Sequence, residues 1–569
     1  MKRKLTGAEI LWESLVNEGV EVVFGFPGGQ NLPIYDAMGK YPSIHHVLVR
    51  HEQGAAHAAD GYARVSGKVG VALATSGPGA TNLVTGIANA MMDSIPTVFI
   101  TGQVPAALIG YDAFQEADVT GITLPITKHN YLVTDVAELG RVVREAFYIA
   151  RTGRPGPVLI DITKNAQIAS IEWEPDTTPI QLPGYRPDLR PIPEDFEQAI
   201  DMIKHAKRPL ILAGHGVLMS DAMQELRYFA ETTQTPVAMT LLGLGGFPAS
   251  HPLNLGMMGM HGEAWVNSAI QEADLLLSMG MRFDDRVTGD LRTYAPNARK
   301  IHFDIDPSEI NKNVKVDLAL IGDLRESLSQ LNPGLPKLEH PEWMSLINES
   351  HNEANQRDIQ NIPDDGRLRA PHVIGDLCKH TQGKSIIVTD VGQHQMWAAQ
   401  YYHTDTPNNF VTSGGLGTMG FGLPAAVGAK FGRPEDEVWI VAGDGGFQMT
   451  MMELQTLKQE GIKVNIAVIN NSFLGMVRQW QEFFYESRYH GTPISSPDFV
   501  KIAEAHGLVG KCVTERKDVE DAIEWARQQP GTVLLEFRVE AEDAVYPMVP
   551  AGASLHQMIR RPILANPNK

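Results

Sequence analysis

The chain has 569 residues, a formal net charge of −19, 43% hydrophobic residues and 20% charged residues. At roughly 100–200 residues per domain this is about three or four domains, each able to bury its own core, which excludes a small binding module and wholesale disorder. The acidic balance argues against nucleic acid and anionic membrane surfaces as partners, and no uncharged apolar run reaches the ~18 residues that span a bilayer.

At the N-terminus, Lys2-Arg3-Lys4 resembles the start of a secretory signal, but Glu9 and Glu13 interrupt the apolar run such a signal needs. Thr6-Gly7-Ala8-Glu9 reads instead as a capping box opening a helix. Short β-branched runs follow at 21–24, 46–49, 71–74, 98–101 and 158–161, each ending near Gly or Asp and leading into a helical stretch. That alternation predicts parallel sheets built from βαβ units. A Pro-rich acidic stretch at 172–194 reads as a linker. The pattern resumes at 210–213, 237–240, 275–278 and 301–304. A polar stretch at 349–369 separates these from a last group at 386–389, 438–441, 464–469 and 533–536. The fold class is therefore α/β, with three doubly wound parallel-sheet domains. Their expected bounds are 1–170, 190–345 and 370–545, with a tail at 546–569. Cys378 and Cys512, 134 positions apart, suit neither a disulfide framework nor a metal site and are expected to be buried thiols in a reducing compartment.

The strongest chemical signal lies in the last third. Gly443-Asp444-Gly445 follows one expected strand and, 24 residues on, Asn470-Asn471 follows the next. Adjacent strands thus deliver an acid and an amide to the carboxyl edge of one sheet, where α/β proteins bind ligands. A carboxylate, an Asn oxygen and a backbone carbonyl are hard donors suited to Mg²⁺, which would neutralise a diphosphate. Nearby, Gly415-Leu416-Gly417-Thr418-Met419-Gly420 satisfies the dinucleotide pattern after a plausible strand at 409–412. Because the diphosphate site competes for the same edge, the run is read as close backbone approach to some ligand. In the first third, Arg50-His51-Glu52-Gln53 closes a strand and opens an Ala-rich helix, and Glu52 alone reads as a first-turn carboxylate. Ser76-Gly77-Pro78-Gly79 is a strand-to-helix turn with spare amides. Asp304-Ile305-Asp306-Pro307 reads as the start of a helix rather than a metal pair. Neither a P-loop nor a Gly-x-Ser-x-Gly elbow occurs.

Taken together, Gly-Asp-Gly…Asn-Asn resembles the thiamine diphosphate (ThDP) and Mg²⁺ motif, and Arg50-His51-Glu52-Gln53 resembles the glutamate segment of the same superfamily. Five further segments are similar to the catalytic subunits of the acetohydroxyacid (acetolactate) synthase family: 75–82, 112–118, Arg282-Phe283-Asp284-Asp285-Arg286, 391–397 and Gln479-Trp480-Gln481. The resemblance implies ThDP-dependent decarboxylation of pyruvate and carboligation to a second pyruvate or 2-oxobutyrate, the first common step of branched-chain amino-acid biosynthesis. It implies that Glu52 hydrogen-bonds N1′ of the aminopyrimidine and that Met419 sits beneath the cofactor. Pro27, Gly28, Gly443 and Gly445 would approach it closely. Asp444, Asn471 and the carbonyl of Phe473 would bind Mg²⁺, and Gln393 and His394 the diphosphate. Arg154, Gly214, His261, Arg282, Asp304 and Asp323 would hold FAD across the middle domain. Phe114, Gln115 and Lys164 would line the substrate approach from a neighbouring chain, and Trp480 the pocket for the second 2-oxo acid.

The family further implies a homodimer or homotetramer and, since no regulatory module is seen before Lys569, a separate small regulatory subunit. The lack of a transit peptide leads us to expect a bacterial cytoplasmic enzyme. Two rival readings are a pyruvate oxidase-like enzyme and a catalytically silent partner of the same fold. The presence of Glu52, Met419, Asp444 and Asn471 weighs against the second.

Overall fold

The β-branched runs pair with one another into three six-stranded sheets whose strands are all parallel. The computed structural model describes residues 2–362 and 365–563, so the end of the expected tail, 564–569, lies outside the described residues. With the strands of each sheet counted in chain order, the first sheet runs 2-1-3-4-6-5, from His45–Leu48 at one edge to His129–Val133 at the other. The third sheet repeats that order, from Phe410–Val411 to Val509–Val513. The middle sheet runs 3-2-1-4-5-6, from Asn254–Met257 to Leu318–Ile321, which is the strand order of dinucleotide-binding folds.

Four strands were not foreseen: His129–Val133, Asn254–Met257, Leu318–Ile321 and Val509–Val513. All four are edge strands. An edge strand is solvated along one side, so its residues need not be uniformly apolar; Val509–Val513, for example, alternates exposed and half-buried positions up to a buried Val513. A two-stranded antiparallel sheet pairing Arg3–Thr6 with Ser170–Trp173 was also unforeseen. Its first strand runs directly into the capping box of the helix Gly7–Asn17, where Thr6 and Glu9 exchange hydrogen bonds. The polar 349–369 stretch is partly helical. The helix Pro341–Asn355 runs into it, anchored by buried Trp343 and Ile347. Both cysteines are half-buried rather than buried. Among the described residues no helix is long and apolar enough to cross a membrane.

One apolar core joins the first and third domains, with Phe24, Phe99 and Leu159 in the same cluster as Ile386, Ile440 and Phe447. At its centre the helix Glu52–Ser66 packs against the helix Gly422–Gly432. The first of these is helical because five alanines fill it, His51 caps it through Gln53 N–H, and Gly67 ends it in the left-handed conformation (φ 69°). The approach needs glycine: a Cβ on Gly61 would lie 2.1 Å from the carbonyl oxygen of Ala425, and one on Gly428 would lie 1.8 Å from that of Ala58.

Candidate active site

At the carboxyl edge of the first sheet, the strand Val22–Gly25 leads to Pro27 and Gly28. A Cβ on Gly28 would lie 2.4 Å from Cγ2 of Thr75, so the turn presses on the end of the neighbouring strand. Glu52 occupies the first turn of its helix, where the dipole favours a carboxylate. It is 9% exposed and accepts a hydrogen bond from Asn82 Nδ2 at 3.0 Å. Gly79 keeps its other oxygen unhindered, since a Cβ there would come within 3.2 Å of it. Gln115, at φ 61°, lays its backbone against Gly77, and Lys164 Nζ donates to the Gly29 carbonyl at 3.1 Å. Pro27, Gly28, Glu52, Gln115 and Lys164 therefore belong to one edge, and Phe114 stands out from its loop 83% exposed.

At the matching edge of the third sheet, Asp444 opens the helix Asp444–Thr450 and is 1% exposed. Burial pushes its carboxyl up to about 6 although the Ser496 hydroxyl donates to it at 3.0 Å. Asn471 Oδ1 accepts from Phe473 N–H at 3.1 Å, and its Nδ2 donates to Gln393 Oε1 at 3.3 Å. Gln393 in turn donates to Gln479 Oε1 (2.9 Å) and to the Asp543 carbonyl (3.0 Å). His394 is buried, its Nε2 has no partner, and burial lowers its pKa to about 3, leaving a neutral ring. Gly443 makes room for that ring and Gly445 for Leu474, at 2.8 and 2.7 Å from where their Cβ atoms would be.

This donor set fits Mg²⁺ and a diphosphate. Asp444, the Asn471 amide and the Phe473 carbonyl are hard oxygen donors, and the orphaned His394 nitrogen is a polar atom awaiting a ligand. Among the described residues no three His, Cys, Asp or Glu side chains gather as a metal site. A metal here would therefore rest on one carboxylate and neutral oxygens, with the remaining ligands supplied by phosphate or water.

Where the three domains meet lies a cavity of about 860 Å³, within the size range of small-molecule sites. Its walls include Arg154, His261, Arg282, Asp304 and Asp323, and also Met419 and Trp480. Gly214 is not one of its walls, although His215, Gly216 and Gly280 are; a Cβ on Gly214 would lie 2.3 Å from the Gly280 carbonyl oxygen. The position is the switch point of a sheet with the dinucleotide order, so the cavity suits FAD although no glycine fingerprint marks it. Several of these side chains are already engaged. Arg154 donates to Asp306 (3.1 Å), Glu309 (2.8 Å) and Ser94 Oγ (2.9 Å). Asp304 accepts from Asp306 N–H, and Asp323 caps a helix through Glu326 N–H. His261, buried and lowered to about 4 by burial, has its Nδ1 3.3 Å from the Pro547 carbonyl. Asp306 also begins the short helix Pro307–Glu309, as the sequence suggested.

Beside Glu52, the backbone N–H groups of Arg50 and His51 donate to Glu453 of the third domain. The hydrogen-bond partner of the Glu52 carboxylate lies in its own domain, and neither Glu52 nor Asp444 lines the cavity that Met419 and Trp480 share with the middle domain.

Comparison with known proteins matches three families along the chain: "Thiamine pyrophosphate enzyme, N-terminal TPP binding domain" over 5–122, "central domain" over 196–331 and "C-terminal TPP binding domain" over 390–537. Over 565 residues the chain is 49% identical to an "Acetolactate synthase large subunit" of Corynebacterium glutamicum, covering 97% of this chain and 89% of that one. It is 46% identical over 558 residues to the "Acetolactate synthase isozyme 2 large subunit" of Escherichia coli, covering 98% and 100%, and 47% identical to an "Acetolactate synthase" of Arthrospira platensis, covering 97% of each. The chain belongs to the acetolactate synthase large subunits, within the thiamine pyrophosphate enzymes.

For an acetolactate synthase chain of this type, sequence reasoning overlooked a set of buried acids. Asp390 accepts from the N–H groups of Val391, Gly420 and Gly422, and burial raises it to about 6. Asp93 accepts from Gly414 N–H (3.0 Å) and Gly415 N–H (2.6 Å). Both grip the glycine-rich run that carries Met419. The glycines were visible in the sequence; their acceptors, about 320 positions earlier in one case, were not.

Proposed function

We propose that this chain joins two molecules of pyruvate into 2-acetolactate with release of one carbon dioxide, and takes 2-oxobutyrate as an alternative second substrate. In this reading it uses Mg²⁺ with ThDP, holds FAD in the central cavity and works in the bacterial cytoplasm as a homodimer or homotetramer beside a small regulatory subunit. The observation that carries it is the pairing of two like sheet edges, one presenting buried Glu52 and the other Asp444, Asn471 and the orphaned His394 nitrogen.

ThDP, when bound, supplies an electron sink at its thiazolium carbon that lets a 2-oxo acid lose carbon dioxide. The chain's residues supply the rest. Glu52 would hold a proton shared with N1′ of the aminopyrimidine, its carboxylate kept in place by Asn82. Asp444, Asn471 and the Phe473 carbonyl would hold Mg²⁺ against the diphosphate, with His394 donating to a phosphate oxygen. Met419 would bear on the cofactor from below. Trp480, tilted against Phe484 with ring centres 5.1 Å apart, would shape the pocket for the acceptor acid and keep water from it. FAD has no redox step to perform here, because the reaction has no net oxidation.

In this reading each edge is completed by the opposite edge of a second copy. The exposed Tyr111 (78%), Phe114 and Leu124 of the first domain and Met449 of the third are the apolar surface a partner would cover. The "large subunit" in the relatives' names supports a separate small one.

The test is purified protein with ThDP, Mg²⁺, FAD and pyruvate, scored together for 2-acetolactate, acetaldehyde and oxygen uptake. Acetolactate is expected as the main product, with Glu52→Gln lowering its rate by about a hundredfold or more. Acetyl phosphate or acetate with oxygen uptake would make the chain an oxidase instead, and an inactive protein, with small subunit added, would make it a silent partner.

A further inference from the structure

Met419 can bear on a cofactor only if the glycine-rich run that carries it is fixed, and glycines fix nothing by themselves: Gly417 and Gly420 lie at φ 69° and 89°, with maximal freedom to move. Asp390 of its own domain holds the far end at Gly420, and the first domain holds the rest. Asp93 sits at the end of the helix Val84–Asp93 and is 2% exposed. Its Oδ2 accepts from Gly414 N–H and from Arg64 Nη2 (2.7 Å), and its Oδ1 from Gly415 N–H. Four residues earlier, Asn89, fully buried, accepts from the Ser413 hydroxyl (2.6 Å) and the Thr418 hydroxyl (3.1 Å), while its own amide donates to Asp60 (3.0 Å). Arg64, donating to Asp60 at 2.5 Å, closes the network behind both. Ser413 Oγ accepts from Thr418 N–H (2.9 Å), so the run is folded back upon itself between its two anchors.

The same short segment also forms cavity wall. Met92, Asp93 and Ser94 line the central cavity; the Asp93 carbonyl lies 3.1 Å from His215 Nδ1, and Ser94 Oγ accepts from Arg154. One helix end thus touches the cradle of the proposed ThDP site and the wall of the proposed flavin site at once.

We propose that Asp93 and Asn89 are positioning residues that set Met419 at the ThDP site, and that through Met92–Ser94 the setting is tied to what fills the central cavity. This rests on the ThDP reading of Met419 given above. It gives the cavity's ligand a part in a reaction without net oxidation: filling the cavity braces the helix end that holds the loop. Charge-assisted hydrogen bonds to backbone N–H groups in a buried setting are the stronger kind, and their loss leaves two amides without acceptors.

The experiment measures the ThDP dissociation constant by quenching of intrinsic fluorescence with excess Mg²⁺, with and without FAD, together with amide hydrogen exchange over 413–420. The wild type is expected to bind ThDP more tightly with FAD present. Asp93→Asn is expected to weaken ThDP binding about tenfold or more, the equivalent of roughly 1.4 kcal/mol, to unprotect 413–420, and to remove the FAD effect. In case Asp93→Asn fails to fold, Thr418→Val removes only the hydroxyl bond to Asn89. It should weaken ThDP binding several-fold, and Thr418→Ser should restore it, which a packing defect would not allow. Wild-type ThDP affinity in both Asp93→Asn and Thr418→Val overturns the inference while leaving the proposed function standing. A wild type that binds no ThDP at all overturns the function itself.

Discussion

The crossing of the helices Glu52–Ser66 and Gly422–Gly432 offers a test in which propensity and packing predict opposite signs. In an isolated helix Gly428→Ala gains about 1 kcal/mol, because alanine gives up less backbone freedom. In this protein the new methyl group would sit 1.8 Å from the Ala58 carbonyl oxygen and 2.7 Å from its carbonyl carbon. Ordinary contact begins near 3.4 Å, so the helices must part by about 1.6 Å in a close-packed core. The obstacle is backbone, which cannot rotate aside, so the cost belongs at the upper end of the ~1–3 kcal/mol for overpacking. The net expectation is a loss of about 2 kcal/mol after the propensity gain. Urea unfolding followed by circular dichroism reads it, with Gly39→Ala as control: Gly39 lies at φ −58° with nothing within 4 Å of its would-be Cβ, and that change should be neutral or stabilising by under about 1 kcal/mol. A Gly428→Ala protein as stable as Gly39→Ala would refute the packing argument.

Asp161, 1% exposed, is pushed up from 3.8 to about 6 by burial despite hydrogen bonds from Thr101 and Gln103. The folded state holds its proton more tightly than the unfolded chain, so its contribution is present below pH ~4 and lost as pH rises through about 6, a span worth about 3 kcal/mol. Asp161→Asn should therefore gain in melting temperature relative to wild type between pH 4.5 and 7.5; a constant offset across that range would contradict this. Asp444→Ala should lower Mg²⁺ affinity by about a hundredfold or more, since loss of a group merely behind a ligand already costs about ten- to a hundredfold. Chelation should bring wild-type ThDP binding down to the variant's level, and a chelator-insensitive wild type would remove the metal from the site. Trp480 leads us to expect a preference for 2-oxobutyrate over pyruvate as acceptor. Because the two differ by one methylene, Trp480→Leu should cut that preference by about tenfold in a two-substrate competition, and equal wild-type rates would defeat the expectation.

The sheets were legible wherever strands are buried on both faces, as at Val438–Gly443 and Pro157–Thr163, because such strands read as uninterrupted β-branched runs. Edge strands such as Val509–Val513, with Lys511 and Cys512 in it, carry no such mark. At the site, Asp444 and Asn471 stood out because their motifs end neighbouring strands. The middle-domain cavity was not legible from residues, since its walls come from glycine contacts and paired side chains such as Arg154 with Glu309, 155 positions apart. The anchors Asn89 and Asp93 were hidden for the same reason: a buried polar residue in a helix is indistinguishable from a solvated one until its partner arrives from another domain.

The shared strand order of the first and third sheets reaches beyond topology. The helix Glu52–Ser66 follows the second strand of its sheet, and Gly422–Gly432 follows the second strand of the other. Ala58 and Gly428, which touch, are each the seventh residue of their helix. The first and third domains are therefore like units of one chain that press the same position of equivalent helices together. On either side of that contact the equivalent sheet edge carries a different acid, Glu52 on one and Asp444 on the other, and the proposed function gives them different tasks, so that what began as repetition ends as division of labour.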